Sequence, residues 1–177
     1  MVGFDHYSVR NRGTRSIAAV VAVLALVGCT SDPQPERATV TPANAYTAIV
    51  RWEIERNEPV TDADGNVEAP VIYLAAGSGG TVDVRVQADV VANIDDGAVI
   101  RFADDARDAR DARLDNEPVK DNGVMILIDE FEPDQAKVEA RIVRYQSIDD
   151  NSTWILHVTA TATGESAAVS SATLATD

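Results

Sequence analysis

Residues 153–163 read TWILHVTATAT. Trp154, Leu156, Val158, Ala160 and Ala162 alternate with Thr153, His157, Thr159, Thr161 and Thr163, broken only by Ile155. A period of two with one apolar and one hydroxyl-rich face is the pattern of a strand that covers a core on one side and meets water on the other. Working outward, the apolar or alternating segments Val124 to Phe131, Lys137 to Tyr145 and Ala167 to Leu174 flank it. They are separated by turn-rich stretches such as Glu132-Pro133-Asp134 and Asp149-Asp150-Asn151. This spacing predicts four strands joined in order as an antiparallel meander.

Upstream the period changes. Thr41-Pro42 has the form of an N-cap followed by proline at the first helical position, and Ala43 to Arg56 places Ala45, Ile49 and Trp52 on one stripe. Tyr46, Ala48, Val50, Trp52 and Ile54 also alternate as a strand would, but the Thr-Pro start favours a helix. Val71 to Ala75 reads as a short buried strand ended by Gly77, Gly79 and Gly80. Thr81 is the expected cap of a second helix, Val82 to Ile94, in which Val82, Val86, Val90 and Ile94 recur every fourth residue; Ala98 to Ala103 then returns as a strand. Helices early and antiparallel strands late predict an α+β domain, one or two helices packed on a curved, mainly antiparallel sheet that ends in the four-strand meander.

The domain is expected to span residues 42–177. Before it, Thr30 to Pro42 reads TSDPQPERATVTP, with three prolines and almost no large apolar group. Residues 29–41 therefore read as a tether, able at about 3 Å per residue to reach roughly 40 Å. Residues 1–28 have another character. Arg10, Arg12 and Arg15 precede Ile17 to Gly28, IAAVVAVLALVG, a continuous apolar run little over half the roughly 20 residues a membrane-spanning helix needs. That layout is a secretory signal, to be left out of the fold.

The residues that close the run sharpen this. Leu26-Val27-Gly28-Cys29 resembles the lipobox of bacterial lipoprotein precursors. The resemblance covers the first 29 residues, in which charged segment, apolar run and four-residue box appear in order. It implies that the signal peptidase recognises Leu26, Val27 and Gly28, that the chain is cut before Cys29, and that Cys29 carries a covalent diacylglycerol and often an acylated amino terminus. Since each buried methylene contributes about 0.8 kcal/mol, two or three acyl chains anchor a protein firmly. The implied location is the membrane or cell envelope, and the implied partner is the membrane through the lipid. Cys29 is the chain's only cysteine, so no internal disulfide is expected. The segments YTAIVRW, PVIYLA and VIRFADD, with the final strands, also resemble a group of small exported bacterial proteins of unknown function. That likeness brings no catalytic residues with it, and fold alone would not define function.

The chain has 15 basic and 29 acidic residues, a net charge of −14. Without residues 1–28, which hold Arg10, Arg12, Arg15 and Asp5, 12 basic and 28 acidic residues remain, a net of −16. Such a surface repels phosphates, which excludes nucleic acid as a partner.

Candidate chemistry is sparse. His157 is the one histidine of the expected mature chain, no GxSxG elbow is present, and the His and Cys ligands of a usual zinc site are missing. Asp62-Ala63-Asp64-Gly65-Asn66 copies the opening of a calcium loop, making Asp62, Asp64 and Asn66 weak metal candidates. Val67 stands where the loop needs glycine and Tyr73 where it needs glutamate, so a plain Asp-Gly turn is expected, with no metal and no cofactor beyond the lipid on Cys29. Gly77-Ser78-Gly79-Gly80 lacks the Lys and Ser/Thr of a phosphate loop and reads as a connector. DARDARDAR, Asp105 to Arg113, has no large apolar residue and reads as a solvated loop or frayed helix, removable at a cost below about 1 kcal/mol. The expected function is a non-catalytic binding or interaction module, for another envelope protein or an extracellular ligand. The alternative is an envelope hydrolase using carboxylates or His157. A deep pocket joining His157 to an acid and a serine would favour the enzyme.

Overall fold

The computed structural model describes residues 37–57, 60, 61, 67–94 and 97–176. In chain order the elements are helix α1 (Pro42–Arg56), strands β1 (Val60–Thr61), β2 (Val67–Glu68) and β3 (Val71–Ala76), helix α2 (Val84–Asn93), and strands β4 (Val99–Phe102), β5 (Val124–Ile128), β6 (Lys137–Tyr145), β7 (Asn151–Ala160) and β8 (Ala167–Leu174). The fold is α+β. β1 and β2 form a two-stranded antiparallel ribbon, and the other six strands form one mixed sheet in the order β4-β3-β5-β6-β7-β8.

The sheet changes character at β5. β3 pairs in parallel with both β4 and β5, whereas β5-β6, β6-β7 and β7-β8 are antiparallel. A parallel pair needs a crossover, and α2 supplies the one between β3 and β4. The sequence reading did not anticipate this parallel half, nor the β1-β2 ribbon. The strand bounds also differ from expectation: β5 stops at Ile128, before Asp129-Glu130-Phe131, and β7 runs over Asn151–Ala160, not 153–163.

Alternation sorts the side chains onto two faces. Ile72 and Leu74 of β3, Val124, Ile126 and Ile128 of β5, Val138, Ala140 and Ile142 of β6, and Leu156 and Val158 of β7 are buried beneath the helices with Ala45, Ile49, Val50 and Val90. On the opposite face Tyr73, Ala75, Met125 and Tyr145 form a second cluster with Ala103, Ala109 and Val119 from the long β4–β5 connection. β3 and β5 are covered on both sides, which is why VIYLA and VMILI are continuous apolar runs while β6 and β7 alternate.

α1 starts where Thr41-Pro42 predicts. The Thr41 hydroxyl accepts a hydrogen bond from the Asn44 N–H at 3.2 Å. α2 starts two residues later than expected, because Asp83 and not Thr81 caps it: its Oδ1 accepts from the Arg85 N–H at 2.8 Å. Val82 and Val90 are nevertheless buried, and Val86 and Ile94 pack against the core, while Val84 is 73% exposed.

The DARDARDAR segment corrects a second expectation. It is a short 3-10 turn, Ala106–Ala109, followed by irregular chain, and its charges are largely exposed, but Ala109 is fully buried and Ala106 packs beside it. Its ion pairs span two residues, Asp105 with Arg107 and Asp111 with Arg113, because each aspartate caps a tight turn: its carboxylate accepts from the backbone N–H two residues on, at 2.9 Å and 3.2 Å, and from the guanidinium of that same arginine. Arg110 lies over the Tyr145 ring at 5.1 Å, and its backbone bridges to Val119. The repeat is a strap held to the sheet, not a free loop.

Candidate functional site

β3 and β5 run in parallel, so their carboxyl ends meet at one edge of the sheet. The chain leaves β3 through Gly77–Thr81 toward α2 and β4 on one side, and leaves β5 through Asp129–Pro133 toward β6 on the other. Loops that diverge from neighbouring parallel strands open a crevice between them, the usual ligand position of open α/β sheets. A crevice of about 320 Å³ lies there. Ala76, Ser78, Gly80 and Thr81 form one wall, Ile128 to Phe131 and Pro133 the other, and Pro42 and Tyr46 of α1 close the helix side.

The glycine connector is shaped for this approach. The Gly77 N–H donates to the Ile128 carbonyl at 2.9 Å, and a Cβ on Gly77 would collide with Asp129 Oδ1 and stand 3.3 Å from the Asp129 nitrogen. Gly79 has φ +74°, the left-handed region that glycine enters without penalty. The two walls are thus fastened at the mouth of the sheet and free above it.

Tyr46 is 9% exposed, its ring 6.4 Å from that of Phe131, and among the described residues no group hydrogen-bonds its hydroxyl. The ring is buried, whereas the hydroxyl is not one of the fully buried, unpartnered side-chain atoms, which among the described residues are Thr47 Oγ1 and Glu53 Oε2. Burial raises the Tyr46 pKa, so the hydroxyl stays protonated and able to donate. Asp129 and Glu130 add carboxylates, and among the described residues no lysine or arginine lines the crevice. Arg141 stands 3.9 Å from Asp129, with both side chains about half exposed.

His157 lies elsewhere. It projects from the outer face of β7, with Nδ1 3.9 Å from Glu139 Oε2, into an open groove shared with Glu130, Glu132, Gln135 and Lys137. Ser170 Oγ donates to the His157 backbone carbonyl at 3.0 Å, and among the described residues no serine hydroxyl hydrogen-bonds the ring. The geometry that would favour a serine hydrolase is not assembled around His157. Leu26, Val27, Gly28 and Cys29, and the metal candidates Asp62, Asp64 and Asn66, lie outside the described residues. Among the described residues no group of three or more His, Cys, Asp or Glu side chains could hold a metal ion, and no helix is long and apolar enough to cross a membrane.

A second polar cluster sits at the β3-β4 end. Tyr73 donates to Asp121 at 2.8 Å, Arg101 Nη1 donates to the Tyr73 oxygen at 2.7 Å, and Arg101 also pairs directly with Asp121. The tyrosine hydrogen bond, with Arg101 nearby, lowers the Asp121 pKa, while burial foremost raises that of Tyr73. Donors and acceptors here satisfy one another, which suits a clamp on the β4–β5 strap better than a ligand site.

The sequence reading missed the crevice. It took Gly77 to Gly80 as a connector only and singled out neither Tyr46 nor Asp129. The one signal in the sequence was the pair of continuous apolar runs, which mark β3 and β5 as covered on both faces without fixing their relative direction. Searches against family models, curated proteins and solved structures find no match to this chain.

Proposed function

We propose that this protein is a lipid-anchored envelope protein whose single α+β domain, ending in a curved four-strand meander, is a non-catalytic binding module. Its ligand site is the crevice at the carboxyl ends of β3 and β5. The observation that carries this reading is the crevice itself, lined by Tyr46, whose ring is nine-tenths buried and whose hydroxyl has no partner among the described residues. The volume of about 320 Å³ is at the small end of ligand pockets, which fits a metabolite-sized molecule. Export and anchoring rest on the lipobox-like Leu26-Val27-Gly28-Cys29, which supports a role in binding an envelope protein or an extracellular ligand.

Amide spectra of the ¹⁵N-labelled full chain, titrated with small polar solutes, test the site. The expected perturbations fall on Gly77 to Thr81, Asp129 to Phe131 and Tyr46. Perturbations confined to His157, Glu139 and Lys137 would move the functional centre to the acidic groove and favour the hydrolase.

A further inference from the structure

We infer that the crevice takes an organic cation, a protonated amine carried on a small apolar group. The inference rests on the reading of the crevice as the ligand site and adds the class of ligand. Three properties of the walls select it. Among the described residues the charged groups lining the crevice are Asp129 and Glu130, both anionic, in a chain of net charge −14, so an anionic ligand is disfavoured there. Arg141 relieves Asp129 only weakly, since a 3.9 Å contact between side chains 55% and 44% exposed is heavily screened. The apolar wall is aromatic: the Tyr46 and Phe131 rings, tilted 46° to each other, offer a π surface to a cation and a contact for its apolar body.

The Tyr46 hydroxyl supplies the third property. Protonated and without a partner among the described residues, it can accept an ammonium N–H through its lone pair while its own proton turns to a rim carboxylate. An ammonium group has three donors, and tyrosine plus two carboxylates offer three acceptors. A bare divalent ion is a poorer match, because such ions need several oxygen ligands converging on one point, and among the described residues no group of three or more His, Cys, Asp or Glu side chains could hold one.

Calorimetric titration of the full chain with phenethylammonium, against the isosteric neutral 2-phenylethanol and the anionic phenylacetate, tests the class. The amine should bind at least about tenfold more tightly than the alcohol, the factor of one charge-assisted hydrogen bond, and phenylacetate more weakly still. Asp129→Asn and Glu130→Gln, exposed and close in shape, should each erode that preference, and Tyr46→Phe should weaken the amine without restoring the alcohol. Failure of phenethylammonium to bind, or equal binding of amine and alcohol, would overturn the cation class. Amide shifts on Gly77 to Thr81 with the alcohol would then preserve the site, whereas shifts located only elsewhere for all three probes would remove the site itself.

Discussion

Glu53 follows Ile49 by one helical turn on the stripe that α1 buries, and it is itself 0% exposed. Arg144 of β6 meets it at 2.9 Å, Asn57 donates to the same Oε1 at 2.9 Å, and Oε2 has no partner among the described residues. Removing one member of a buried pair leaves an uncompensated charge, so Arg144→Met is expected to cost about 3 to 5 kcal/mol in urea denaturation. Glu53→Leu combined with Arg144→Met should recover most of that loss, and a double variant as unstable as the single one would contradict this. The stripe Ala45, Ile49 and Trp52 was legible in the sequence, but Glu53 was not, because a carboxylate carries no burial signal and its partner is 91 residues away. Asp105 and Asp111 offer a pH test. Side-chain hydrogen bonds, from Arg107 and Arg113 respectively, foremost hold their pKa values down to about 2. A depressed carboxylate favours the folded state above its unfolded pKa of about 3.9 and loses that contribution as pH falls through the folded value. Carboxyl carbon titrations should therefore show midpoints near 2 for both, and an ordinary midpoint in either would dissolve its ion pair.

The elements differ in how openly they were written. α1 announces itself through Thr41-Pro42, and Thr41→Ala should cost about 1 kcal/mol by leaving the Asn44 N–H without its acceptor. No change in melting temperature would mean the cap is dispensable. α2 was legible through Val82, Val86, Val90 and Ile94, but its start was not, since Thr81 and Asp83 are both good caps and only tertiary packing chooses between them. The DARDARDAR strap was the least legible. Its alanines look interchangeable in a perfect repeat, yet Ala109 is buried, Ala106 is partly buried and Ala112 is exposed, because the path of the chain across β5 and β6 decides which one meets the sheet. Deleting Asp108 to Arg113 removes Ala109, the Arg110–Tyr145 contact and the bridge to Val119. The expected loss is above about 2 kcal/mol, more than a free surface loop would show. A loss below about 1 kcal/mol would restore the reading of a solvated loop.

At the scale of the whole molecule, one sheet serves two layers. The helices cover one face, the β4–β5 strap covers the far side of its parallel half, and the carboxyl-end crevice opens where that parallel half meets the antiparallel one. Residues of β3 and β5 told of burial on both faces, but strand direction is set by the path of the chain and not by composition, so the parallel pairing, and with it the crevice, stayed hidden until the fold was seen. The net charge of −14 is compatible with a site that gathers cations. The proposed function joins this site to a lipid anchor, and the anchor depends on one atom, the Cys29 sulfur. The direct measurement is metabolic palmitate labelling of the full chain and of Cys29→Ala in a bacterial host, with fractionation of the same cells. Labelled, membrane-bound wild-type protein and unlabelled Cys29→Ala released from the membrane fraction are the predicted result. Equal labelling of both chains, or no labelling of the wild type, would contradict it.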